Sequence, residues 1–204
     1  MVKTSVATAA GVVLAAGLFL AVAATPASAT AINVAATANG GSISGSAGLN
    51  GAALSTLIDG QFVPRSTQWQ TGTVWWHGLS PFVEISFQQP SQLRGLIVEA
   101  DDNDAYTVLY DDGGAWQTLW NVPNYDGYGW GMQTRPNVNN TSEMYLLPAP
   151  VTTSRIRVQA AGGDNSYSLA EVQAYGTPVP VPAAAWLLGS GLAGLAAWRS
   201  RRRS

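Results

Sequence analysis

The sequence predicts an all-β domain, a β-sandwich or jelly roll, framed by two terminal segments of a different kind. Three observations lead there. Between residues 30 and 176, short runs of alternating apolar and polar residues recur, separated by Gly, Asn, Asp and Pro. No stretch of that region sustains a helical period, apart from one possible turn at 51–58. Both ends break from this pattern into uncharged, Ala- and Leu-rich runs flanked by basic residues.

Residues 1–29 read as a secretory signal peptide. Lys3 is the only charge before Asp59, an apolar run fills 9–24, and Pro26 precedes Ala27-Ser28-Ala29. A short positive start, an apolar middle and a small-x-small site form the three-part pattern of export, with Thr30 as the expected new N-terminus. An uncut membrane anchor is the alternative.

Within residues 30–176, positions 37–51 are mostly Gly, Ser, Ala and Asn, and read as loop or weak edge. Residues 82–87 alternate, with Val83, Ile85 and Phe87 on one face. Residues 93–99 follow with Leu96 and Val98 inward, then 105–110 with Tyr106, Val108 and Tyr110 sharing a face. Asp111-Asp112-Gly113-Gly114 is a turn, and 115–120 is the return strand of a hairpin. Residues 121–142, rich in Gly, Asn, Pro and Tyr, read as a long surface loop. Strands at 143–147, 154–160 and 169–175 complete the set, a spacing suited to a sandwich or jelly roll.

After the domain, 177–182 is a Pro-rich extended linker, since alternate prolines fix φ and remove donors. Residues 183–198 carry no charge and predict a transmembrane helix, about 24 Å long at ~1.5 Å per residue. Trp186 and Trp198 suit its interfaces, and the basic tail 199–204 should stay cytoplasmic, leaving the domain outside. The signal peptide requires the same orientation.

Length and composition bound the middle. Its 147 residues make one domain. It holds five arginines, no lysine and all twelve acidic residues, a net charge of −7, which provides no electrostatic footprint for nucleic acid. The absence of cysteine excludes thiol chemistry and cysteine metal sites. His77 is the only histidine, so no histidine-rich zinc site can form, and no nucleophile-elbow sequence accompanies it. Glu84 and Glu99 form a carboxylate pair on paper only, since both fall on predicted strands. The expectation is a domain without catalytic residues.

Two groups of residues could carry function. Trp75, Trp76, Tyr125, Tyr128 and Trp130 fall in predicted loops or at strand ends. Together at one end of a sandwich, they would form a stacking platform for sugar rings, with His77, Asp126 and Arg135 orienting hydroxyls. The alternative is that they pack the core. Asp101, Asp102 and Asp104, with Asn103 between them, form the densest acidic cluster. They read either as a Ca²⁺ site of carboxylate oxygens or as a solvated turn.

The order of pieces also resembles a family. Leu57-Ile58-Asp59-Gly60, Thr67-Gln68-Trp69, Phe82-Val83-Glu84-Ile85-Ser86-Phe87, Tyr106-Thr107-Val108-Leu109-Tyr110 with Asp112-Gly113 and Trp116, Ser154-Arg155-Ile156-Arg157-Val158, and Leu169-Ala170-Glu171-Val172-Gln173-Ala174-Tyr175-Gly176 follow one another. This series resembles the discoidin domain, a galactose-binding-like jelly-roll β-sandwich also called the coagulation-factor type C domain. The resemblance implies a binding module and not a catalyst. It implies a structural Ca²⁺ held by Asp59 and Glu171, with Gln61, Thr67 and the carbonyl of Ala170 as helpers. The tail from Val179-Pro180-Val181-Pro182 through the apolar run to the arginines resembles a PEP-CTERM sorting signal of the VPxPA variant. That implies an exosortase as partner, a passing membrane contact through the helix, and delivery to the surface or extracellular matrix of a Gram-negative bacterium. The reading that results is a surface-displayed or matrix protein that binds glycan or polysaccharide without catalysis. A structural biofilm protein without a small ligand is the first alternative, and a weak glycoside hydrolase the second.

Overall fold

The computed structural model describes residues 30–125 and 131–180. The signal peptide, the apolar helix, the basic tail, Val181 and Pro182 of the sorting motif, and Asp126, Tyr128 and Trp130 all lie outside the described residues. Among the described residues, no helix is long and apolar enough to cross a membrane.

The architecture is all-β. Among the described residues, ten strands run in chain order: β1 (Ile32–Asn33), β2 (Ser42–Gly45), β3 (Asn50–Gly51), β4 (Val74–His77), β5 (Phe82–Asp101), β6 (Ala105–Asp111), β7 (Trp116–Val122), β8 (Met132–Arg135), β9 (Tyr145–Gly162) and β10 (Ser166–Pro178). The hydrogen-bonded order is β3-β4-β10-β5-β9-β6-β7, with β1 added to β10, and β2 and β8 added to β5; every pairing is antiparallel.

Two long strands let this sheet fold over on itself. β5 pairs with β2 through its first residues, with β10 and β8 through its last, and with β9 through both. Its ladder to β9 breaks between Ser86 and Ser91. Pro90 lies in that gap, where a residue without an N–H cannot serve a central ladder. The expected strands at 82–87 and 93–99 are therefore the two arms of one bent strand. β9 likewise absorbs the expected strands at 143–147 and 154–160.

The core lies between the arms. Val83, Ile85, Phe87, Leu96, Val98, Tyr106, Val108, Ile156, Val158, Leu169 and Val172 are all buried. The alternation expected in 82–87 and 105–110 is present, Glu84 and Ser86 facing outward. The second arm of β5 is buried on both faces from Gly95 to Asp101, so Ile97 and Glu99 are as enclosed as Leu96 and Val98. The turn expected at 51–58 is a 3₁₀ helix, Leu54–Ile58, that buries Leu57 and Ile58. The expected loop at 121–142 holds β8, and β10 runs past Gly176 through Thr177 and Pro178, which pair with Gln92 and Ser91.

Candidate functional site

β4 sorts the first aromatic group by strand alternation. Val74 and Trp76 point inward, while Trp75 and His77 point outward. Trp76 is fully buried, 6.1 Å from Tyr106 and from Tyr167 in an aromatic core cluster. Its expected role in a sugar platform is therefore corrected: an enclosed indole offers no face to a ligand. Trp75 is half-buried and His77 exposed, with ring centroids 5.6 Å apart. Trp69 joins them, 5.5 Å from Trp75 and 6.1 Å from His77, edge-to-face in both cases. The His77 ring also reaches the Asn165 carbonyl at 3.3 Å and the Ser166 hydroxyl at 3.4 Å.

Trp69 carries this aromatic group into a cleft of about 290 Å³, lined by Ser66, Gln68, Trp69, Asp101, Asp102, Asn103, Gly131 and Asp164. The cleft wall is stitched by main chain. Ser66 N–H donates to the Met132 carbonyl, and Met132 N–H to the Thr67 carbonyl, both at 2.9 Å. Gly131, in the left-handed region at φ 65°, lies so close to the Thr67 carbonyl that a Cβ there would collide with it. Ser66 and Asn165 are the non-glycine residues with positive φ among those described; Ser66 lines the cleft, and Asn165 follows the lining residue Asp164. Such backbone costs of order 1–3 kcal/mol and gathers at functional sites.

The cleft floor is the acidic segment after β5. Asp101, Asp102 and Asp104 are buried, which corrects the expectation of a solvated turn. Asp101 accepts from Asp102 N–H at 3.1 Å. Asp104 accepts from the Tyr106 hydroxyl and from Asp164 N–H, each at 3.4 Å. Desolvation raises the Asp101 carboxyl to about 6 and that of Asp104 to about 7, with neighbouring carboxylates adding to both. Asp164 is exposed at the rim, accepting from Ser166 N–H at 2.9 Å and from the Asn103 side-chain amide at 3.1 Å. The other end of that amide, Asn103 Oδ1, is shut off from solvent and has no hydrogen-bond partner.

Arg135 lies behind the floor instead of in the cleft. Its side chain is buried and donates to the carbonyls of Ala100, Gln133, Asp101 and Asp102 at 2.7–3.1 Å, and to that of Pro123 at 3.4 Å. The expectation that Arg135 orients a ligand is corrected: its donors are spent on main chain, clamping the end of β5 to β8. Tyr125 is exposed, and its N–H donates to the Asp102 carbonyl at 2.8 Å, which holds it near the cleft.

The second acidic region is separate. Glu171 and Glu99 are cross-strand partners on β10 and β5, and both are buried. Glu171 Oε1 accepts from Gly60 N–H at 3.2 Å, and Glu99 Oε2 from Val63 N–H at 3.0 Å, so the 59–63 loop closes over the pair. Burial pushes Glu171 up to about 8, with Asp59 and Glu99 contributing, and Glu99 up to about 7. Asp59 accepts from Gln61 N–H at 2.8 Å, and Ala170 occupies the register break of β10. Thr67 donates its hydroxyl to the Pro64 carbonyl at 2.6 Å, and its own carbonyl serves the cleft wall. Among the described residues, no three His, Asp or Glu side chains are grouped as a metal site. Glu84 and Glu99 lie toward opposite ends of β5, Glu84 paired with Arg157 at 2.6 Å, so they form no catalytic pair.

Sequence reasoning missed Ser66, Gln68, Trp69, Asn103, Gly131 and Asp164 as site residues. The available signals were the Trp in Thr67-Gln68-Trp69 and the glycine opening β8.

The chain is thus an all-β domain with an aromatic-walled, acidic cleft. Its structural neighbours are family 32 carbohydrate-binding modules, which have the discoidin-like fold. The module of NanJ from Clostridium perfringens, solved with galactose, is 14% identical, with a TM-score of 0.48 over 72% of this chain and 98% of that one. The module of EndoD from Streptococcus pneumoniae is 14% identical, with a TM-score of 0.46 over 71% and 99%. The module of AlyQ, solved with 4,5-unsaturated mannuronic acid, is 16% identical, with a TM-score of 0.45 over 65% and 92%. No protein-family model matches the chain, and no curated protein matches it.

Proposed function

We propose that this protein is an exported, surface-displayed or matrix-associated module that binds glycan or polysaccharide without catalysis. One observation carries the reading: the half-buried Trp69 forms the wall of a cleft whose floor is polar, with Trp75 and His77 continuing the aromatic surface beside it. A flat indole beside oriented hydrogen-bonding groups is the pairing a pyranose ring needs, its apolar face on the ring and its hydroxyls on the polar groups. Polysaccharide pull-down or a glycan array with the full chain, alongside Trp69→Ala, tests the binding. The expected result is retention of the parent and loss by the variant. Failure of the parent on every polysaccharide leaves the structural matrix protein as the reading to prefer.

The terminal patterns support export through the 1–29 signal and handling of the tail at Val179, Pro180, Val181 and Pro182 by an exosortase. Structural Ca²⁺ belongs to the same proposal. Glu171 Oε2 is buried without a partner, the kind of oxygen a hard cation satisfies. Glu171 and Asp59 would hold the ion, and its part would be structural: to neutralise buried carboxylates and pin the 59–63 loop.

A further inference from the structure

Asparagine followed by glycine occurs twice in the chain, at Asn39-Gly40 and at Asn50-Gly51. All four residues are exposed, and in each step one hydrogen bond holds the asparagine amide: Asn39 Nδ2 donates to the Asn33 carbonyl at 2.8 Å, Asn50 Nδ2 to the Gly48 carbonyl at 3.0 Å. The glycine nitrogens differ. Gly40 N–H closes a turn by donating to the Thr37 carbonyl at 3.0 Å. Gly51 sits on β3, the outermost strand of the order β3-β4-β10. Ala52 N–H donates to the Thr73 carbonyl at 2.9 Å, and Asn50 and Gly51 oppose Trp75 and Val74. Bonded and non-bonded pairs alternate along an antiparallel ladder, so Gly51–Val74 is a non-bonded pair and Gly51 N–H faces the open edge. Asn50 and Gly51 also line a surface depression of about 290 Å³, within reach of water. The step Asn165-Ser166 is tied like the first: Ser166 N–H donates to the Asp164 carboxylate at 2.9 Å.

From this we infer that Asn50-Gly51 is a self-modification site, converted without an enzyme to aspartate and isoaspartate, while the fold protects Asn39-Gly40. The deprotonated Gly51 nitrogen attacks Asn50 Cγ. The N–Cγ bond forms, the Cγ–Nδ2 bond breaks, and ammonia leaves with the proton that the nitrogen gave up. Glycine has no Cβ beside that nitrogen to obstruct ring closure. Water then opens the cyclic imide, at Cγ to give aspartate or at the main-chain carbonyl to give isoaspartate. Either product adds a negative charge at the sheet edge, and isoaspartate also adds a carbon to the main chain. β3 has only two residues to absorb that carbon, and it lies tight on its neighbour: a Cβ on Gly51 would collide with the Thr73 carbonyl and the Trp75 indole. The isoaspartyl strand therefore leaves β4 and uncovers that side of Trp75. None of this chemistry depends on the glycan-binding reading.

The test ages the full chain in mildly alkaline buffer, folded and in urea, and follows both Asn–Gly steps by peptide mapping with mass spectrometry. The expected result is conversion at Asn50 at least about threefold faster than at Asn39 in the folded chain, the effect of one net hydrogen bond on a barrier. In urea the two rates should converge, because the local chemistry is the same. Equal rates in the folded chain, or faster conversion at Asn39, overturns the inference. So does a difference that persists undiminished in urea, since its cause is then the flanking sequence and not the fold. Hydrogen exchange on the isoaspartyl fraction reads the fate of β3: the Ala52 and Trp75 amides should lose protection, while those of β6 keep it. The same amides should stay protected in an equally aged Asn50→Gln chain. Retained protection in the isoaspartyl fraction, or equal loss in Asn50→Gln, overturns the release of β3 and leaves the modification site standing.

Discussion

Replacing Trp76 with alanine removes an indole packed against Tyr106 and Tyr167 in the core. The expected cost is about 3–5 kcal/mol of stability, read as a drop in the midpoint of chemical denaturation. Trp69→Ala removes a half-buried wall instead. Its stability should hold, while saccharide affinity falls by about 1 kcal/mol or more in calorimetry, as for an anchor residue. If Trp76→Ala folds normally and loses binding, the two roles are reversed and the cleft is not the site. Of the tryptophans the sequence pointed to, Trp76 is core, while Trp75 lies beside Trp69 and His77 on the outward face. In the sequence Trp76 falls in a loop or at a strand end, because Val74-Trp75-Trp76-His77 is only four residues long, too short for its alternation to register. Its pairing with β10 and β3 settles which face it uses, and those partners are remote in the chain. Arg135 misled for a related reason. A lone arginine in a polar loop reads as available, and the carbonyls it serves at Ala100, Asp101 and Asp102 come from a strand more than thirty positions earlier.

At the scale of elements, the meeting of β5 and β10 sets the pH response. Glu99 and Glu171 face each other across that ladder, and Asp101 and Asp104 follow at its end; burial raises all four. A raised carboxyl keeps its proton in the folded state at a pH where the unfolded chain has lost it. The folded state therefore binds more protons between about pH 4.5 and 8, and stability falls as pH rises through that window. Asp111 and Asp112 shift the other way, lowered chiefly by main-chain hydrogen bonds, but their contribution is lost only below about pH 4 and leaves the window alone. In chelator, the thermal midpoint should be several degrees higher at pH 5 than at pH 8. Ca²⁺ should raise the midpoint by mass action, and more at pH 8 than at pH 5, since it binds ionised Glu171. Midpoints in chelator that are flat or rising from pH 5 to 8 would contradict the buried carboxylates. Curves at pH 8 that coincide in chelator and in Ca²⁺ would remove the cation. The alternating strands at 82–87 and 105–110 were legible because one face is buried and the other wet. β8 was not: it is four residues long and buried throughout, so it carries no alternation to read.

For the whole molecule, the geometry of β10 relates the cleft to the tail. The strand opens at Ser166, beside the cleft rim at Asp164, and closes at Pro178, thirteen residues later. At ~3.3 Å per residue that separation is about 40 Å, so the chain leaves for its C-terminal segment far from the cleft. Val179 N–H donates to the Pro90 carbonyl at 2.9 Å, which holds the exit against the bend of β5. A membrane-held precursor would then present the cleft away from the bilayer, and ligand binding would not depend on release of the tail. Two outcomes follow for protein recovered from its native host. Intact mass should show a mature chain beginning near Thr30 and lacking Arg199–Arg203; retention of either end would refute that half of the processing scheme. Cells blocked in tail removal should still capture soluble labelled polysaccharide at their surface, with an affinity matching the released protein. Capture only after release would mean that the membrane or its neighbours occlude the cleft, against the spacing that β10 imposes.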